Sequence, residues 1–137
     1  FLRMSGASEE YEHWNFLQTI VKKAVQALAD WAHSTASIFS RDVEQTIGQG
    51  IIAQCQLNGL NPCQESDRIK AANSIADMAD SIVGSIGRFQ WDIAVTRIGQ
   101  LASEMRLSTG SQSVGDSNGN ADELIKWDGT RKRGLGI

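Results

Sequence analysis

The chain has 137 residues, 41% of them hydrophobic, and a formal net charge of −3 at pH 7, with acidic and basic residues mixed along its length. This size and composition predict one domain with a sizeable core. The mixed charge predicts no nucleic-acid partner, because no broad basic surface attracts phosphates. Since no apolar run reaches about 20 residues, no membrane span is predicted.

The first predicted element is a long amphipathic helix over about residues 8–33. Its apolar side chains recur at the helical repeat, and at about 100° per residue they fall within an arc of about 140°. We expect this arc to face the core. Its members are Trp14, Leu17, Val21, Ala24, Val25, Leu28 and Trp31.

Two further helices are predicted from caps and periodicity. Ser40 can cap a helix over about residues 41–57, and the following Asn58-Gly59 is typical of a left-handed stop. Ser66 can cap a third helix, whose apolar face is mostly Ala and Ile, so that a neighbouring helix can approach closely. This face comprises Ile69, Ala72, Ile75, Ala76, Ala79, Ile82, Val83 and Ile86.

The second helix contains GQGIIA, residues 48–53, which matches the relaxed dinucleotide-binding fingerprint G-x-G-x-x-A. That fingerprint follows a hydrophobic strand, whereas the residues before this match are RDVEQTI. We therefore interpret the match as chance. We expect Gly48 and Gly50 to admit another backbone or to bend the helix.

The segment after residue 88 allows two interpretations. Alternation over residues 89–95 is typical of a strand, whereas an apolar stripe from Trp91 to Met105 is typical of a helix. The helical pattern explains more positions, because the alternation fails at Arg97. We therefore predict a fourth helix.

Together these elements predict an all-α fold of four amphipathic helices in a small bundle with a flexible C-terminal tail. The alternative is an α/β sandwich with strands near 88–98 and 122–128. The predicted organisation is a helical domain over 1–107, a flexible linker rich in Ser, Gly, Asn and Asp over 108–121, and a docking segment with a basic tail over 122–137.

Cys55 and Cys63 are the only two cysteines of the chain. The residues between them contain two turn signals, Asn-Gly and Asn-Pro, which can bring the α-carbons within the separation of about 6 Å that a disulfide needs. We therefore predict a Cys55–Cys63 disulfide and an oxidising compartment. The alternative is two reduced, partly buried thiols.

No pattern in the sequence predicts catalysis or a resident metal. A Gly-x-Ser-x-Gly motif is absent, and His13 and His33 lie roughly 30 Å apart on one helix, too far to share a metal ion. Side chains over 116–122 have the alternate spacing of a calcium loop, but Ala121 and Trp127 replace its glycine and its closing glutamate. We expect no enzyme activity, no cofactor and no metal.

The chain starts with Phe1 rather than Met, which predicts a processed form. Lys132 and Arg133 form a dibasic pair of the kind that secretory processing proteases cleave. Together with the predicted disulfide at residues 55 and 63, these features resemble the processed secreted polypeptides of fungi, including virus-encoded killer toxins. The resemblance implies a secreted location. We accordingly expect a small secreted, non-enzymatic toxin or effector that recognises a protein or a cell-surface receptor.

The alternative function is a helical interaction module of a larger intracellular or viral assembly, with reduced cysteines. For binding, the candidate residues are Tyr11, Phe89 and Trp127, because aromatic rings are favoured at interfaces. The opposing interpretation is that all three are core residues. An apolar face left uncovered also predicts a homo-oligomer.

Overall fold

The computed structural model describes residues 5–84, 88–107, 127, 129 and 131. Its helices pack against one another as a small bundle, and no strand occurs within these ranges. The predicted all-α bundle is therefore confirmed. The helices are α1 (Ser5–Ala32), α2 (Arg41–Leu57), α3 (Glu65–Val83) and α4 (Arg88–Glu104).

The α/β alternative is wrong, because residues 88–98 lie within α4. Trp127, the described residue of the second proposed strand, is in neither a helix nor a strand. The predicted linker over 108–121 lies outside the described residues. So do the dibasic pair at 132–133 and most of the predicted docking segment.

The two ends of α2 follow from local chemistry. At its start, the Val43 N–H donates a hydrogen bond to Ser40 Oγ at 3.2 Å, as predicted for an N-cap. At its end, Gly59 has a φ of +70°, and the Leu60 N–H donates to Cys55 O at 2.8 Å. The predicted left-handed stop is therefore confirmed.

α3 begins two residues earlier than the predicted cap at Ser66 implies. Its first residue is Glu65 and its N-cap is Gln64, so the predicted cap at Ser66 is wrong. Ile82, which the periodicity assigns to the apolar face, is exposed. The small side chains of this face are buried as predicted: Ala72, Ala76 and Ala79. Ala71, which the prediction did not include, is also buried.

α1 and α2 form the most extensive helix pair of the bundle. Gly50 of α2 lies against Ala24 of α1, and a Cβ at Gly50 would stand 2.2 Å from the Ala24 Cβ. Two carbon atoms do not approach that closely, so only glycine permits this packing. The backbone predicted to approach Gly50 lies behind that methyl group, with Ala24 Cα and Ile20 O each 3.6 Å from the added Cβ.

A buried arginine ties the turn between α2 and α3 to the end of α4. Arg68 donates from Nε to Ala102 O at 2.6 Å, from Nη1 to Pro62 O at 3.0 Å and from Nη2 to Ser103 O at 3.4 Å. Burial lowers the pKa of the Arg68 guanidinium, because desolvation disfavours its charged form. The partly negative carbonyl end of α4 compensates for this cost. We therefore assign Arg68 a structural role.

Candidate interaction surface

The first turns of α1 lie outside the buried core. α1 has 28 residues and is about 42 Å long, whereas α2 and α4 have 17 residues each. The buried residues of α1 run from Leu17 onward, and the described large side chains before it are exposed. Trp14, predicted to belong to the core, is 47% exposed. The predicted stripe is therefore wrong at Trp14.

Three large aromatic side chains cluster on these turns, and we call them the α1 aromatic surface: Tyr11, Trp14 and Phe16. Tyr11 is 65% exposed and Phe16 is 50% exposed. Viewed along the axis of α1, Tyr11 and Trp14 lie on one side of the direction in which Leu17 points, and Phe16 lies on the other side. The Phe16 ring stacks on His13, with ring centroids 6.3 Å apart. Tyr11 and Trp14 adjoin each other on their side of the helix, and adjoining exposed apolar groups mark interaction sites.

Among the predicted binding residues, Tyr11 and Trp127 lie in different environments. Tyr11 belongs to the α1 aromatic surface. The backbone of Phe89 lies in α4, and its side chain lies outside the described residues. Trp127 is 2% exposed, so it is a core residue and not a surface contact. Sequence reasoning missed Phe16, although its position off the buried arc was a usable signal.

Trp127 fills a groove between α2 and the end of α4. The indole lies over Gly48, where an added Cβ would stand 2.2 Å from Trp127 Cε3. The side-chain amides of Gln45 and Gln49 both donate to the main-chain oxygen of Trp127, at 2.8 and 2.9 Å. Gly48 therefore admits a side chain rather than the predicted neighbouring backbone.

The same groove holds Arg131, and one guanidinium meets two carboxylates there. Arg131 Nη1 donates to Glu44 Oε2, and Arg131 Nη2 donates to Glu104 Oε1. Arg131 also forms an isolated antiparallel bridge with Met105. We call this site the Trp127 groove and define its walls as Glu44, Gln45, Gly48, Gln49, Glu104 and Met105.

The predicted Cys55–Cys63 disulfide is wrong, because both residues are thiols and their sulfurs are not within bonding distance. Cys55 lies on the fully buried face of α2, and its thiol donates to Asp67 O at 3.7 Å. Burial raises the pKa of Cys55 to about 12, with a smaller contribution from the Asp67 charge. The thiol is therefore a packing group. The secreted-toxin expectation rests on this disulfide together with Phe1 and the Lys132–Arg133 pair, and without the disulfide we do not carry it further.

A small pocket of about 150 Å³ lies beside the Trp127 groove. Its polar lining residue Arg97 already has partners: Arg97 Nε donates to the neighbouring Ser37 O at 2.8 Å, and Arg97 Nη1 donates to Gln100 Oε1, on the pocket wall, at 2.9 Å. The volume is below the range of about 300 to 1,000 Å³ that is typical of small-molecule sites. The remaining lining residues are Ile38, Phe39, Glu44, Leu101 and Arg131.

Within the described ranges, no helix is long and apolar enough to cross a membrane. The same ranges contain no group of three or more His, Cys, Asp or Glu residues arranged to hold a metal ion. The fold defines the chain as a small all-α bundle. No family model, no curated protein and no solved structure matches it.

Proposed function

We propose that the chain is a non-enzymatic helical interaction module of a larger protein assembly, and that it binds a partner through the α1 aromatic surface. The observation that carries this proposal is the exposure of Tyr11, Trp14 and Phe16 on the turns of α1 that precede its core contacts. Burying a large apolar side chain contributes about 1.5 to 3 kcal/mol. A partner that covers these rings therefore gains a substantial binding free energy.

The arrangement of the rings indicates the shape of the partner. Because Tyr11 and Phe16 project from different sides of α1, a flat partner surface covers only one of them. A groove that receives the helix covers both, which is a common mode of helix recognition.

The charge of the same turns indicates the chemistry of the partner. Glu10 is exposed and lies two helical turns before Leu17, so it faces the floor of such a groove. We expect an apolar groove with a Lys or Arg opposite Glu10, since complementary charges fix the register of an interface.

Site-specific photocrosslinking in the native cells tests this function. The photoreactive amino acid benzoylphenylalanine replaces Tyr11 in one version of the chain and Lys23, an exposed residue further along α1, in the other. We expect one protein to be captured from position 11 and not from position 23. Equal capture at both positions contradicts the proposal.

The captured protein is then purified and titrated calorimetrically with variants of the chain. We expect Trp14→Ala to weaken binding about 30-fold or more, as removal of a central aromatic contact does. Glu10→Lys should weaken binding, whereas Glu12→Lys should not, because Glu12 lies on the opposite side of the helix. Unchanged affinity of Trp14→Ala excludes the α1 aromatic surface as the binding site.

A further inference from the structure

The side of α1 that carries Phe16 has a second apolar residue one turn further along. At about 100° per residue, Phe16 and Ile20 point within about 40° of each other, whereas Tyr11 points about 140° away from Phe16. Phe16 is 50% exposed, and Ile20 is half-buried against the core. Phe16 and Ile20 form a short apolar strip on α1, which we call the Phe16 strip.

Two opposite charges flank the Phe16 strip on one side. Glu12 and Lys23 are both exposed, and they point within about 20° of each other, on the side of Phe16 that faces away from Ile20. The two residues stand about 16 Å apart along the helix axis. This separation is too long for the two side chains to pair with each other within one chain, so they present complementary charges to a second molecule.

The strip and the two charges share one centre. The midpoint of Phe16 and Ile20 is position 18, and the midpoint of Glu12 and Lys23 lies half a residue away, which is less than about 1 Å. A two-fold axis beside this point, perpendicular to α1, places Phe16 against Ile20 of a second copy. The same axis places Glu12 against Lys23 of that copy, because a two-fold contact is self-complementary and an antiparallel one keeps flanking residues on the same side.

The charges favour the antiparallel arrangement over a parallel one. A parallel pair would set each residue level with its own copy and would leave Glu12 about 16 Å from Lys23 along the axis. The polar group near the centre does not oppose the contact. The Thr19 hydroxyl donates to Asn15 O at 3.0 Å, so a second copy can cover it without leaving the hydroxyl unpaired.

We infer that the Phe16 strip is a self-association site, at which a second copy of the chain packs antiparallel along α1. Two apolar side chains from each copy bury less than the roughly 1,200 Å² of a stable interface, so the pair is transient and forms at about 100 µM and above. At lower concentrations Phe16 is exposed. A partner groove that covers Phe16 excludes the second copy, so self-association limits partner binding. The inference depends on α1 alone and does not require the proposed partner.

Sedimentation equilibrium of the purified chain alone, from about 10 µM to about 1 mM, tests the inference. We expect dimers at the upper concentrations. Glu12→Lys and Lys23→Glu should each weaken association at least about tenfold, because either change sets like charges against each other at both ends of the contact. An equimolar mixture of these two variants should associate again, since every flanking contact between them joins opposite charges.

Lys22→Glu is the matched control, because Lys22 is exposed and points about 100° away from Lys23 around the helix. It should leave association unchanged, whereas Phe16→Ala should weaken it at least about tenfold. Far-ultraviolet circular dichroism verifies that each variant is folded. A chain that stays monomeric at about 1 mM overturns the inference, and so does a dimer that Phe16→Ala and Glu12→Lys leave unchanged. Partner capture in cells is measured separately, so either proposal can fail alone.

Discussion

The start of α1 and the segment at Trp127 place the same type of side chain in opposite environments. Trp14 lies on the helix face that leads into the core, yet it is 47% exposed, whereas Trp127 lies outside every helix and is 2% exposed. The difference is set by the neighbouring element. The buried face of α1 begins at Leu17, one turn after Trp14, whereas α2 offers Trp127 a slot at Gly48. Periodicity identifies the face of a helix, and the neighbouring elements decide whether that face is covered.

The largest change in stability is expected when the buried Trp127 ring is removed. Trp127→Ala leaves a cavity against Gly48. It also removes the side chain that holds the main-chain oxygen of residue 127 in reach of the Gln45 and Gln49 amides. We therefore expect the free energy of unfolding to fall by about 3 to 5 kcal/mol. Urea denaturation followed by far-ultraviolet circular dichroism measures this loss. A loss below about 1 kcal/mol would show that Trp127 is not a core residue.

A smaller effect is expected from filling the slot. Gly48→Ala places a methyl group where the indole lies, so we expect a destabilisation of about 1 to 3 kcal/mol from overpacking. In the Trp127→Ala background the same change should cost nothing, because no ring remains to collide with it. Gly99→Ala is the control: on an open face of α4 it should stabilise the helix by about 0.5 to 1 kcal/mol. Equal effects at the two glycines would contradict the slot.

The smallest change in stability is expected at the exposed rings of α1. Trp14→Ala and Phe16→Ala remove side chains that the bundle does not cover, so each should change the free energy of unfolding by less than about 0.5 kcal/mol. The same urea titration measures both. A loss of 2 kcal/mol or more at Trp14 would place that ring in the core.

Much of the fold followed from the sequence, because helix formation depends on neighbouring residues. The Ser40 cap and the Gly59 stop of α2 are local signals, and both are present in the structure. The fourth helix was also predicted, because the apolar helical pattern from Trp91 to Met105 covers more residues than the strand-like alternation does.

The sites were harder to predict, because they depend on contacts between distant residues. Nothing in the residues around Gly48 indicates that Trp127 packs there, nor that Arg131 reaches Glu44 and Glu104. The disulfide prediction failed for a similar reason. Sequence spacing permitted the pair, but the helical register turned Cys55 into the core.

Hydroxyl-radical footprinting of the unaltered full chain, read by mass spectrometry, tests the central claim most directly, because it reports the solvent exposure of each aromatic side chain in one sample. We expect rapid oxidation of Tyr11, Trp14 and Phe16, and protection of Trp127 to the level of the buried Trp31. Oxidation of Trp127 at the rate of Trp14 would contradict the claim that the bundle buries one ring and presents the other.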